Sequence, residues 1–152
     1  MAARTRRLRG VSPVVAAIIL IMIASAAGVI VWQMVLNQGK QKTIVRLDVG
    51  ATEATIPPDG SECSIDIQVM NNGNVKLTIA NATIYYAAKR YTVTLNRDIM
   101  AGGQTTLSFT VKSTDIGGVK FRDGDTLKIV LTYIDPQGNS YNKSIYETIS
   151  MG

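Results

Sequence analysis

The 152-residue sequence predicts an α+β protein, with one long N-terminal hydrophobic helix followed by an antiparallel β-sandwich head. Three observations carry this prediction. No charged residue occurs between Arg9 and Lys40, and Val, Ala, Ile, Leu and Met dominate that run. Beyond Lys42 the apolar residues change to a period of two, the repeat of a half-buried strand. Clusters of Gly, Pro, Asn and Asp separate the alternating segments, where turn chemistry calls for them.

The first element is a short basic leader. Arg4, Arg6, Arg7 and Arg9 crowd residues 1–10 and account for most of the formal net charge of +5. Without them the chain carries 12 Lys+Arg against 11 Asp+Glu, a net of +1. A basic flank before an apolar run orients a segment in a membrane with that flank on the cytoplasmic side. No basic stripe occurs elsewhere, so nucleic acid is not expected as a partner.

The helix comes next. Residues 11–36 would rise about 39 Å as an α-helix, more than the roughly 30 Å of a bilayer's hydrocarbon core. Pro13 stands near the start, where its missing N–H has no acceptor to lose. Asn37-Gln38-Gly39 offers a stop, with Gly39 suited to a left-handed cap and Lys40 and Lys42 near the negative helix end. Trp32 and Gln33 mark an interfacial position at the outer end. At the centre lie Ala24, Ser25, Ala26, Ala27 and Gly28, in which Ala24 and Gly28 form a small-xxx-small pair that lets helix backbones approach closely.

Three outcomes are open to such a segment. Ala24-Ser25-Ala26 is a small-x-small site for a conventional signal peptidase, but cutting there would leave the apolar "GVIVWQMVL" exposed as the start of a soluble protein. An uncut helix would be a plain signal anchor. The third outcome is a cut on the cytoplasmic side, between Gly10 and Val11, that removes the basic leader and keeps the helix. The leader ending in Arg9-Gly10, followed by "VSPVVAAIILIMIASAAGVIV", resembles the class III signal peptide of archaeal type IV pilins. The Ser-Pro-Val-Val run at residues 12–15 is similar to the pilin branch, and the Gly-Ile-Glu-Ala type of start common in archaellins is absent. Bacterial type IV pilins usually bear a glutamate at the fifth mature position, where this chain has Val15.

That resemblance implies a leader-cleavage site at Arg9, Gly10 and Val11 for a prepilin peptidase. It also implies a helix that is a membrane anchor before assembly and part of a filament core afterwards. The partners would be other copies of the same chain in a helical homopolymer, together with the pilus assembly platform. The precursor would reside in the cytoplasmic membrane and the mature subunit in an extracellular adhesion filament. Removing four arginines is physically apt, because a helix bearing only its terminal amine can leave the bilayer far more easily than one pinned by charges. The alternatives are a membrane-anchored extracellular β-sandwich binding module and an archaellin filament subunit. Residues 43–152 are too few for a typical two-lobed solute receptor.

The head, residues 44–152, follows a linker at residues 39–43. Alternation predicts strands around Val45/Leu47/Val49, Ile65/Ile67/Val69, Val75/Leu77/Ile79, Tyr91/Val93/Leu95, Leu107/Phe109/Val111 and Leu127/Ile129/Leu131/Tyr133. Further strands are expected near residues 84–87 and 141–149. Turn clusters fall at Pro57-Pro58-Asp59-Gly60, Asn71-Asn72-Gly73-Asn74, Gly102-Gly103, Gly117-Gly118, Asp123-Gly124-Asp125 and residues 135–139. Seven or eight short strands without a second helical pattern predict an immunoglobulin-like sandwich. The "NNGNVKLTIANATIYY" run is loosely similar to a region of archaeal pilin and archaellin heads.

No arrangement for catalysis emerges. The chain contains no histidine, the commonest general base and metal ligand. Its single cysteine, Cys63, alternates with Ile65 and Ile67 and reads as a small core hydrophobe. Asp123 and Asp125 lie in a glycine-containing turn without the spaced oxygen ligands of a calcium loop. "GGQTTL" lacks the length and the lysine of a phosphate loop. An enzyme, a metal and a cofactor are therefore not expected. Asn81-Ala82-Thr83 and Asn142-Lys143-Ser144 are N-glycosylation triplets, usable in an exported domain, which makes Asn81 and Asn142 candidate acceptors.

Overall fold

The computed structural model describes residues 10, 12–39 and 42–152. The chain divides into two units, an N-terminal one ending at Lys42 and a head over Thr43–Gly152. Helix α1 spans Pro13–Gln38, 26 residues, with Pro13 in its first turn. Ser12 precedes it in an extended conformation without a side-chain cap, and the Ala16 N–H donates to the Ser12 carbonyl at 3.0 Å. At the other end Gly39 is right-handed (φ −70°, ψ −15°), not the left-handed cap that its glycine suggested. Its N–H donates to the Val35 carbonyl at 3.1 Å, so helical hydrogen bonding runs on through residue 39 and requires no reversal there. No residue of α1 is buried.

The head consists of β1 (Leu47–Ile56), β2 (Glu62–Asn71), β3 (Leu77–Tyr86), β4 (Lys89–Ile99) and β5 (Gln104–Lys112). A 3-10 turn (Ser113–Ile116) leads to β6 (Thr126–Ile134), β7 (Ser140–Thr148) and the two-residue β8 (Ser150–Met151). The strands form two four-stranded sheets, ordered β5-β2-β1-β8 and β4-β3-β6-β7. Every pairing is antiparallel except one: after Ile149 the chain leaves the second sheet, and β8 lies parallel to the end of β1. The inner faces bury Ile65, Ile67 and Leu107 from one sheet and Ile79, Ile84, Ile129 and Leu131 from the other, all at most 1% exposed. Among the described residues, the buried hydrophobic ones all lie between Leu47 and Ile149. The head thus closes a sandwich core with its own side chains.

Two departures from simple alternation have one cause. The alternation predicts separate short strands at residues 75–79 and 84–87, but β3 is continuous. Ile79 lies opposite Tyr133 and Asn81 opposite Thr132, which leaves Ala80 as an extra residue against β6. The bulge moves the buried set from Leu77 and Ile79 to Ala82, Ile84 and Tyr86. In β1, Gly50 and Ala51 together oppose Gln68, and the buried set shifts from Leu47 to Ala54 and Ile56.

The turns are built from several devices. The β3–β4 hairpin turns through Ala87 and Ala88, both with positive φ (48° and 59°), although Asn-Gly is the usual pair for that geometry. Asn71, fully buried at the end of β2, ties the two sheets together. Its Nδ2 donates to the Val75 carbonyl (2.7 Å) and the Ile99 carbonyl (3.0 Å), and its Oδ1 accepts from the Gly73 N–H (3.1 Å). The same loop holds the start of the head. Asn74 Oδ1 accepts from the Ile44 N–H at 2.7 Å, and the Asn72 N–H donates to the Arg46 carbonyl at 2.9 Å. A methyl group on Gly73 would overlap the Ile44 carbonyl oxygen, so only glycine lets residues 44–46 pass this close.

Candidate functional site

Helix α1 is the first candidate. Its large apolar side chains are exposed over the whole circumference, from Val14 (66%) and Leu20 (67%) to Trp32 (64%). The helix is long and apolar enough to cross a membrane. Ser25 does not break this character, because its hydroxyl donates to the Ile21 carbonyl at 2.7 Å, one turn back. Ala24 and Gly28 are both exposed. Among the described residues a Cβ added to Gly28 would meet nothing within 4 Å. Of the leader-cleavage residues, Gly10 is exposed, while Arg9 and Val11 lie outside the described residues.

The second candidate is the outward face of the β4-β3-β6-β7 sheet. The two glycosylation triplets, 61 residues apart in the chain, meet there. Asn81 in β3 and Asn142 in β7 flank Thr132 of β6 in a single cross-strand row. Asn81 is half-buried in a strand paired on both sides, and its sequon threonine, Thr83, shares a 3.1 Å hydroxyl contact with Thr92. Asn142 is exposed on an edge strand, where its Oδ1 accepts from the Thr132 hydroxyl at 3.0 Å.

Further along the same face, Tyr85, Lys128 and Tyr146 form another cross-strand row, with Arg90 beside Tyr85. Lys128 Nζ sits 5.7 Å from each tyrosine ring centroid, and the rings are 41% and 65% exposed. This group is invisible to a reading along the chain. Each member is an outward residue of its own strand, and only the register of β3, β6 and β7 aligns them.

Other titratable groups serve structure. Cys63 is fully buried, and burial pushes its thiol up to about 11, which keeps it protonated and unreactive. The Asp123 and Asp125 side chains each take a local donor. Asp125 Oδ2 accepts from the Tyr86 hydroxyl at 2.7 Å, and Asp123 Oδ1 accepts from the Met151 N–H at 3.0 Å. Burial and the Asp125 hydrogen bond raise the Tyr86 phenol above its ordinary value. Asp135 accepts from Asn139 Nδ2 (2.9 Å), the Asn139 N–H (2.9 Å), the Gln137 N–H (3.0 Å) and the Tyr141 hydroxyl (3.2 Å). Those donors, Asn139 foremost, hold its carboxyl below the usual range. Among the described residues no group of three or more Cys, Asp or Glu side chains could hold a metal ion.

No family model matches the sequence. No curated protein matches it either. Solved structures resemble it weakly. The putative ApaA protein from Bordetella pertussis aligns over 73% of this chain and 96% of its own, at 10% identity and a TM-score of 0.44. OgpA from Akkermansia muciniphila aligns over 68% of this chain and 28% of its own, at 14% identity and a TM-score of 0.42. A β-glucosidase from Erythrobacter marinus aligns over 69% of this chain at 12% identity and a TM-score of 0.41. The matched region spans only 15% of that enzyme's length. Likenesses at this level assign neither a family nor an activity.

Proposed function

We propose that this chain is the structural subunit of an extracellular archaeal type IV adhesion pilus, made as a membrane precursor and cut between Gly10 and Val11. The single observation behind this reading is the contrast between α1, apolar all round without one buried residue, and a head whose core is already closed. A helix of this kind needs an apolar environment on every side. A bilayer supplies that before assembly and a bundle of identical helices supplies it afterwards. The Ala24/Gly28 pair permits the close helix contacts that such a bundle uses.

We read the head as immunoglobulin-like, and part of its strand order supports that reading. First, second and fifth strands share one sheet, and third, sixth and seventh share the other. The fourth strand joins the third instead of the first sheet, and β8 is an addition. Within the head, Asn142 is the better-exposed acceptor for a glycan once folding is complete, since Asn81 lies in mid-sheet.

The test combines mass and microscopy. The mature protein should begin at Val11 by intact-mass measurement, and negative-stain images of sheared surface filaments should contain it. A start at Ala27 would mean a conventional secretory signal. An uncut Met1 with no filaments would give first place to the membrane-anchored binding module. Gly28→Leu should insert normally, because leucine is favourable in lipid, yet abolish or weaken filaments. Among the described residues a Cβ at this position meets nothing within 4 Å. Normal filaments from the variant would remove Gly28 from the contact surface.

A further inference from the structure

We infer that the outward face of the β4-β3-β6-β7 sheet is a binding surface for an acidic polysaccharide, centred on Lys128 between Tyr85 and Tyr146. The ammonium of Lys128 lies 5.7 Å from both ring centroids, within cation–π reach of each, which favours a position between the two tyrosines. It makes no ion pair among the described residues; the salt bridges there join Arg46 to Asp48 and Lys76 to Asp98. Arg90 adds a second cation at the end of the same row. The next two rows, running through Thr83 and Asn81, are uncharged and consist of Thr, Ser and Asn apart from Val130. These three rows therefore present positive charge without a carboxylate among them; the nearest on β4, Asp98, lies further along the face opposite Thr78 and is paired with Lys76.

This chemistry selects the occupant. A sugar chain needs aromatic surface for its C–H faces and closely spaced donors and acceptors for its hydroxyls, and the tyrosines and the adjoining row of Thr92, Thr83 and Ser144 supply both. A carboxylate or sulfate on the sugar would pair with Lys128 and Arg90. The two tyrosines lie two strands apart, roughly 10 Å, which brings rings of one polymer within reach of both. A protein partner would call for a larger desolvated centre than Tyr85, Tyr146 and Val130 provide among the polar rows. A nucleic acid would need more cations than two to neutralise its phosphates.

The head over residues 43–152, whose core is self-contained, is the protein to test. It should be retarded in gels containing polygalacturonate or dextran sulfate at low ionic strength and should run unaffected in neutral dextran. Lys128→Met and Tyr146→Ala, both at surface positions, should each weaken that binding about tenfold, the scale of one lost desolvated cation or aromatic contact. Lys112→Met, on the opposite sheet, should not change it. The inference is overturned if neither acidic polymer retards the wild-type head or if Lys128→Met binds unchanged. Equal weakening by Lys112→Met, or tighter binding to single-stranded DNA than to both polymers, would overturn it as well. Circular dichroism of each variant separates lost binding from lost folding.

Discussion

Leu20 in α1 is 67% exposed and Leu131 in β6 is 0% exposed, and the two leucines summarise how differently the halves of this molecule use apolar residues. In the head, apolar residues alternate with polar ones, so each strand has an inside and an outside and the sandwich satisfies itself. In α1 they fill every face, so no single neighbour within one chain could cover them. An amphipathic sequence folds against its own domain. A uniformly apolar helix is not satisfied by one face of its own domain and needs apolar surroundings on every side.

The sharpest way to break this comparison is to separate the halves. Residues 43–152 should be soluble and monomeric, with β-rich circular dichroism and one cooperative unfolding transition, whereas the full chain should require detergent or lipid. Substantial helical signal from the fragment would contradict the fold. In the same fragment Leu131→Ala should cost about 3 kcal/mol by urea unfolding. In the detergent-solubilised chain Leu20→Ala should leave the head's transition within about 0.5 kcal/mol.

A smaller effect is expected where the head begins. Gly73→Ala drives a methyl into the Ile44 carbonyl and should cost about 2 kcal/mol as residues 44–46 are displaced. Amide exchange at Ile44, whose N–H donates to Asn74, should rise with it. An unchanged exchange rate at Ile44 would mean that the loop at 71–74 does not hold this segment.

The head should also lose stability at both ends of the pH scale. Asp135 and Asp98 have carboxyls lowered in the folded state, by the Asn139 hydrogen bond and the Thr78 hydrogen bond respectively. Their stabilisation is present above the unfolded value, near pH 4, and is lost as pH falls through the lower folded value. Cys63 behaves oppositely. Its contribution is complete below the unfolded thiol value and disappears as pH rises toward about 11. Asp135→Asn should flatten the acid limb of a melting-temperature profile and Cys63→Ala the alkaline limb. Limbs unchanged in both variants would remove these groups as the cause. The detergent-bound helix, which has no titratable side chain over Pro13–Gln38, should show neither limb.

The smallest expected effect is a gain. Ala87→Asn combined with Ala88→Gly suits the positive φ of both hairpin residues and should stabilise the head by about 1 kcal/mol in urea. No gain would mean that the strain at this turn is already relieved.

Much of this architecture is legible along the chain. The uncharged run identifies the helix from Pro13 to Gln38, since it is far longer than a strand and carries no turn residues after Pro13 until Asn37 apart from Ser25 and Gly28. Strict alternation from Cys63 to Val69 and from Leu127 to Tyr133 identifies β2 and β6, and glycine or proline clusters mark most of the turns, though not the β3–β4 hairpin at Ala87 and Ala88. These are local properties, carried by neighbouring residues. Sequence also sufficed to single out Ala24, Gly28, Asn81 and Asn142, because each belongs to a motif of three to five consecutive positions. Tertiary structure decided what depends on distant partners. It set β5 against β2 and β6 between β3 and β7, joined β8 in parallel to β1, and brought Asn81, Asn142, Tyr85, Lys128 and Tyr146 onto one face. It also decided where alternation fails, at Ala80 and at Gly50 and Ala51, because one extra residue reverses which side of a strand is buried. Only the pairing of that strand with its neighbours reveals the extra residue.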